Sequence, residues 1–270
     1  MNILIGSNVH WWNAEAAYAA VTARLLKEEG HRVFVLTRPG SDNEKKLRLM
    51  GLEVMVEPDL NTQNPFKLLN SYFQLKEFLK KEKIEIVNPH RSEGFPLYAL
   101  ARKSLASFRL IRTRGASRKV RPHWPNRVLH REWTDAIIVP GKIVAERDLA
   151  GIPISRDSLH VIHYPIDLPV IPPAEALNEY RTEFSIPENH KILAVVGRIR
   201  QEKGHLILAE SFQQLLQDFP LTTLLILYRD TPDELPEMLQ LQNQLKELGL
   251  MEKVRFDAER EDIRSLMAFA

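Results

Sequence analysis

The chain has no cysteine, and only 11 of its 270 residues are glycine. Lack of cysteine excludes disulfides, thiolate zinc sites and cysteine nucleophiles, and suits a reducing compartment. No apolar run approaches the roughly 18 residues of a membrane span. The start, MNILIGSN, has neither the basic flank nor the long apolar core of a secretory leader, so a cytoplasmic protein is expected. Net charge is only +2, from 37 basic and 35 acidic residues, so any attraction to anions must be local. The loop after the first apolar run, GSNVHWWNAEAAY, contains no G-x-G-x-x-G, which removes support for a dinucleotide-dependent dehydrogenase. No His/Asp/Glu group has ligand spacing, and no metal is expected.

Hydrophobic residues make up 44% of the chain, enough for two cores. Short β-branched runs alternate with amphipathic stretches, the pattern of a parallel sheet with crossover helices. Strands are expected at 3–6, 33–37, around Val54, and at 84–87, 110–113, 136–139 and 159–162. Helices are expected over 14–29 and from Pro65. Prolines at 165, 169, 172 and 173 cannot propagate a helix or a central strand, and mark an interdomain linker. The alternation then restarts, with strands at 192–196, 224–227 and 254–256, helices between them, and Asp262 as N-cap of a last helix. The expected fold is α/β, two Rossmann-like doubly wound parallel-sheet domains. They cover residues 1–168 and 174–270, the second incomplete and with its strand 192–196 lacking covering helices.

In open α/β sheets, ligands sit beyond the carboxyl ends of the strands. After the first strand, His10, Trp11, Trp12 and Asn13 form a polar-aromatic loop. It is able to stack on a sugar or base, or simply to cover the sheet edge. After the fourth strand, IEIVNPHRSEGFP places His90 and Arg91 at the strand end, Gly94 where a helix must approach closely, and Glu93 as a base or a solvated carboxylate. The segment Arg109–Arg131 holds seven arginines, one lysine and no acid, a local field suited to phosphates or lipid head groups. No nucleic-acid reading motif accompanies it. In VVGRIRQEKGHLILAESF, Arg198 and Lys203-Gly204 stand between a strand and a helix start, where a cation is disfavoured by the helix dipole unless an anion is near. The fold is not expected to need either cation.

The two successive domains, His90, the element GRIRQEKG and the segment LGLMEKVRFDAEREDIRSLMAFA together resemble the GT-B glycosyltransferases of family 4. The resemblance implies a nucleoside diphosphate sugar as co-substrate, with no other cofactor. The donor would be held mainly by the second domain and a glycan or glycolipid acceptor by the first, with transfer retaining anomeric configuration. On this basis Arg198, Lys203 and Gly204 would bind the donor diphosphate, and His90 would be the catalytic contact to the donor sugar. His10, Asn13 and Glu15 would belong to the loop between donor and acceptor. Arg112, Arg114, Arg118, Lys119 and Arg121 would face an envelope-glycan acceptor of lipopolysaccharide type, or an anionic membrane at its inner face.

Three departures accompany the resemblance. Trp12-Asn13 and Ala14-Glu15 stand where the family has paired glycines. The strand 224–227 runs into Tyr228-Arg229-Asp230 instead of a glycine-containing loop. The family's E-x7-E element, which grips the donor, would follow the last residue of this sequence. The rival readings are a GT-B sugar epimerase and a non-catalytic glycan- or anion-binding protein.

Overall fold

The computed structural model describes residues 1–115, 119–166, 172–229, 231–258, 260 and 262–270. The chain separates into two compact units, residues 1–166 and 167–270.

The first unit carries β1 (Asn2–Gly6), α1 (Ala14–Glu28), β2 (Arg32–Leu36), α2 (Asp42–Leu49), β3 (Glu53–Met55), α3 (Pro65–Lys81) and β4 (Ile86–Pro89). It continues with α4 (Phe95–Leu105), β5 (Arg109–Thr113), α5 (Trp124–Arg131), β6 (Ala136–Val139) and β7 (Leu159–Val161). The seven strands form one parallel sheet in the order β3-β2-β1-β4-β5-β6-β7. The order reverses between β1 and β4, the place where open α/β sheets leave a crevice.

Both faces of the sheet are covered, so its central strands are apolar on successive residues. Leu4 and Phe34 face a cluster with Leu75, Leu79, Val87, Tyr98 and Leu110, while Ile3, Ile5, Val33 and Val35 face Ala19, Ala23 and Leu47. Gly6 is required by close approach: a Cβ there would meet the Tyr98 hydroxyl at 2.9 Å. Gly94 has φ +76° and caps α4, and a Cβ on it would lie 2.8 Å from that of Leu60. The close approach expected between Gly94 and the helix that follows is made instead against Leu60, in the loop before α3. Strand β4 ends two residues later than its apolar run predicts, because Ile84 closes the end of α3 through a bond from its N–H to Leu79 O (3.0 Å). His90 is therefore the first residue past the strand.

The second unit carries α6 (Ala174–Glu183), β8 (Lys191–Val196), α7 (His205–Asp218), β9 (Thr222–Tyr228), α8 (Leu235–Glu247), β10 (Val254–Ala258) and α9 (Ile263–Phe269). Its parallel sheet has the order β10-β9-β8. Phe212, Met238, Leu241 and Leu245 cover one face. Tyr180, Ile263, Leu266 and Phe269 cover the other. The strand expected to lack helices is thus packed on both faces. As the edge strand β8 it is still only half-buried, and its last residue, Val196, is exposed. Asp262 precedes α9, but its carboxylate is engaged by Arg260 (2.7 and 2.8 Å) and by the Tyr180 hydroxyl (2.9 Å) and makes no cap bond to the helix.

Candidate functional site

At the switch point of the first unit, the backbone carries His90 to the end of β1 through a bond from its N–H to Gly6 O (2.8 Å). Asn88, two residues earlier, donates its amide to Ile111 O and to Thr113 Oγ1 (2.9 Å) on β5. Its oxygen is thereby turned to His90, whose Nε2–H donates to it at 2.9 Å. The other ring nitrogen, Nδ1, has no partner. Tyr18 meets the imidazole edge-on at 5.0 Å. Burial, with the positive charge of Arg112 behind it, pushes the His90 pKa down to about 3, so the ring is neutral at physiological pH.

The other residues of this corner are largely occupied with one another. Arg91 holds Glu93 in two bonds (2.8 and 3.1 Å) and Glu15 of α1 in a third contact. Burial works against ionisation of Glu93, but the Arg91 hydrogen bond, a backbone hydrogen bond and the charges of Arg91 and Arg112 together outweigh it and leave the pKa below the ordinary carboxylate value. Glu93 is therefore a paired anion rather than a free base. Asn13 spends its side-chain oxygen on the Ala16 N–H (3.0 Å), the usual task of an N-cap. His10 is exposed, its ring beside Trp11. The two tryptophans divide the two roles open to them: Trp12 packs on the sheet cluster under Lys46, and Trp11 stands 68% exposed.

The basic segment also divides. Asp135, just beyond it, binds Arg109 and Arg102. Arg112 and Arg114 point inward and are buried, and with exposed Lys119 and Arg121 they line a cavity of ≈ 310 Å³. Arg118 lies outside the described residues. His130, which the sequence reading missed, closes the cavity from α5. Its only prior signal is its place four residues after Asn126, whose carbonyl it bonds.

In the second unit, the opening of α7 has Gly204 at φ +73° as its cap, with exposed Lys203 beside it. Arg198 does not stand alone. Its Nε and that of Arg200 (3.2 Å) both donate to Oε1 of Glu234, a residue 3% exposed in the turn before α8. The fold therefore uses Arg198, contrary to expectation, because a buried carboxylate from 36 residues away meets it. Burial opposes ionisation of Glu234, yet the two arginine bonds lower its pKa. A second cavity of ≈ 630 Å³ lies between the first turns of α7 and α8, lined by Arg200, Gly204, His205 and Pro236 among others.

Two parallel sheets with helices on both faces, the second smaller, are the GT-B architecture of glycosyltransferases. A glycosyltransferase from Rickettsia africae matches over 100% of this chain and 71% of its own, with TM-score 0.83 and 21% identity. HepE from Anabaena, solved in complex with UDP, matches with TM-score 0.80 and 17% identity over 100% of this chain and 72% of its own. The lipopolysaccharide outer core galactosyltransferase WaaB matches at 0.66 and 16%, over 99% and 70%. No curated protein sequence matches. The model of Glycosyltransferase Family 4 matches residues 16–169, more than half of the chain. The chain belongs to that family, and it is shorter than these solved relatives.

Proposed function

We propose that the protein transfers a hexosyl group from a nucleoside diphosphate sugar to an envelope glycan, with retention of configuration and no cofactor beyond the donor. The observation that carries this reading is the opening of α7, where Gly204 caps the helix at φ +73° without a side chain and the exposed Lys203 precedes it. A helix N-terminus of this kind suits a diphosphate, and we assign Arg198, at the end of β8, to the same group. Charge grows on that diphosphate as the glycosidic bond breaks, and fixed cations stabilise it most at that moment. Crystals of HepE with UDP and with UDP-glucose support a uridine donor, and WaaB supports an acceptor of lipopolysaccharide type. His90, neutral and with Nδ1 open, is suited to accept a hydrogen bond from a donor-sugar hydroxyl. Among the described residues, no helix is long and apolar enough to cross a membrane. A cytoplasmic enzyme touching the inner membrane face peripherally is the arrangement we favour.

The test is calorimetry with UDP, GDP and the bare nucleosides, followed by transfer from radiolabelled UDP-sugars to envelope-glycan acceptors. Diphosphate-dependent binding and labelled product are expected. His90→Ala should lower turnover far more than donor affinity, because contacts at the reacting sugar count most in the transition state. Nucleoside binding unaffected by the diphosphate would refute the donor assignment.

A further inference from the structure

The cavity beside β5 holds a charge arrangement that the fold leaves unbalanced. Arg112 is 3% exposed, yet its guanidinium makes no ion pair among the described residues. Its bonds go to neutral groups, Pro89 O (2.7 Å) and Ser92 Oγ (3.4 Å), it lies over the Phe95 ring at 5.1 Å, and its Nε has no partner. The nearby carboxylates are bonded to other arginines, Glu93 to Arg91 and Asp148 to Arg147 at 2.8 Å, while the charge of Glu93 still acts on Arg112 and that of Asp148 on Arg114. Among the described residues, none lines the cavity, whereas Arg112, Arg114, Lys119 and Arg121 all do. A buried cation without an ion pair in contact is expensive, and its protonation is weakened accordingly. Burial, with Arg114 next, pushes the Arg112 pKa down to about 9.

One group in this cationic wall has the opposite polarity. His130 is 6% exposed, and its Nδ1–H donates to Asn126 O at 2.9 Å. Nε2 therefore carries a lone pair, has no partner, and belongs to a residue lining the cavity. Burial pushes the pKa of this ring down to about 4, so it stays neutral. A neutral acceptor offers nothing to a phosphate oxygen, but it fits a hydroxyl beside one. Arg112, with exposed Lys119 and Arg121 in the same wall, suits a dianion better than a single carboxylate. The volume, ≈ 310 Å³, is at the small end of ligand sites and admits about one sugar ring.

We infer that this cavity binds the phosphate monoester of a phosphorylated sugar, with Arg112, Lys119 and Arg121 on the phosphate and His130 Nε2 accepting from a neighbouring hydroxyl. Identifying that sugar as part of the acceptor rests on the transferase reading above; the binding site itself does not.

The experiment titrates the full chain with glucose 6-phosphate, inorganic phosphate, glucose, UDP, and vesicles of phosphatidylglycerol in phosphatidylcholine. Glucose 6-phosphate should bind and glucose should not. Arg112→Met should weaken both phosphate probes by about tenfold or more. His130→Leu should weaken glucose 6-phosphate several-fold and leave inorganic phosphate within about twofold. If Arg112→Met fails to fold, the exposed pair Lys119→Gln and Arg121→Gln must still weaken glucose 6-phosphate several-fold and flatten its salt dependence. No binding of glucose 6-phosphate to the wild type, or undiminished binding to the Lys119/Arg121 variant, overturns the inference. Binding to vesicles without binding to the soluble ester overturns it in favour of a lipid head group. UDP separates the two readings, since its binding depends on Arg198 and Lys203. Loss of the UDP response alone defeats the donor assignment, and loss of the glucose 6-phosphate response alone defeats this site.

Discussion

At the end of β8, Arg198 and Arg200 both donate to one oxygen of Glu234. The carboxylate is buried while the Arg198 side chain stays 51% exposed. At the end of β5 the order is inverted: Arg112 is buried, its hydrogen bonds go to neutral oxygens, and the carboxylates in reach belong to other arginines. The first corner is electrically complete and Arg198 is open to water, so Arg198 can turn to a ligand while Arg200 keeps Glu234 paired. At the second, buried Arg112 has no ion pair among the described residues, although Lys119 and Arg121 on the same cavity stand in water. Two arginine-rich strand ends therefore differ in kind: one sets its arginines on a buried carboxylate, the other buries an arginine on neutral partners.

The sharpest way to break this comparison is acid. His90 and His130 are buried neutral, with pKa values pushed down to about 3 and about 4 from an ordinary value near 6.5. The unfolded chain therefore takes up protons first. The stability that depends on these rings is full above pH ~6.5 and is lost as pH falls toward the folded values. Between pH 7 and 5 the two together should cost about 4 kcal/mol. All four tryptophans, Trp11, Trp12, Trp124 and Trp133, lie in the first unit, so urea denaturation followed by tryptophan fluorescence reads this unit directly. A midpoint unchanged between pH 7 and pH 5 would mean that these rings are not buried neutral. Glu234 has the opposite sign: its lowered pKa gives stability present above the ordinary value of about 4.5 and lost only below it.

Next in size is the double change Arg198→Ala and Arg200→Ala, which strands a buried carboxylate. A loss of about 2 kcal/mol at pH 7 is expected, smaller at pH 4 where Glu234 can protonate. Circular dichroism during denaturation measures it. Equal loss at both pH values would show that the pair is not what is missing.

Arg198→Ala alone leaves Arg200 on Glu234 and should weaken UDP by about tenfold, or roughly 1.4 kcal/mol, with uridine little affected. Calorimetry on both ligands decides whether the diphosphate shares this arginine. Smallest is the stability effect of Lys203→Ala. The side chain is exposed and makes no ion pair among the described residues, so stability should stay within a few tenths of a kcal/mol while UDP binding falls. A clear loss of stability with unchanged UDP binding would make Lys203 a structural residue.

Much of the architecture was legible from spacing, because the signals are local. Ile3 and Ile5 facing one cluster while Leu4 faces the other is the period of a strand, and Pro65 opening α3 under an Asn64 cap is a rule of helix starts. His90 could be placed near a strand end because strand ends can be located from such patterns. Helices α2, α5 and α6 were less visible, being short and strongly polar, with α6 hidden behind the prolines that precede it.

Which residues stand at the strand ends, and with what formal charge, is determined by the sequence alone. What those charges are worth is decided only by tertiary structure, because charge energy depends on burial and on partners distant in the chain. Arg112 and Arg121 look alike in a basic run, yet one is buried beneath Phe95 and the other stays in water. Arg198 gained its carboxylate from Glu234 across 36 residues, and Arg112 gained none. Periodicity is written between neighbours, whereas desolvation and ion pairing arise only when the folded chain brings distant positions together and excludes the water between them.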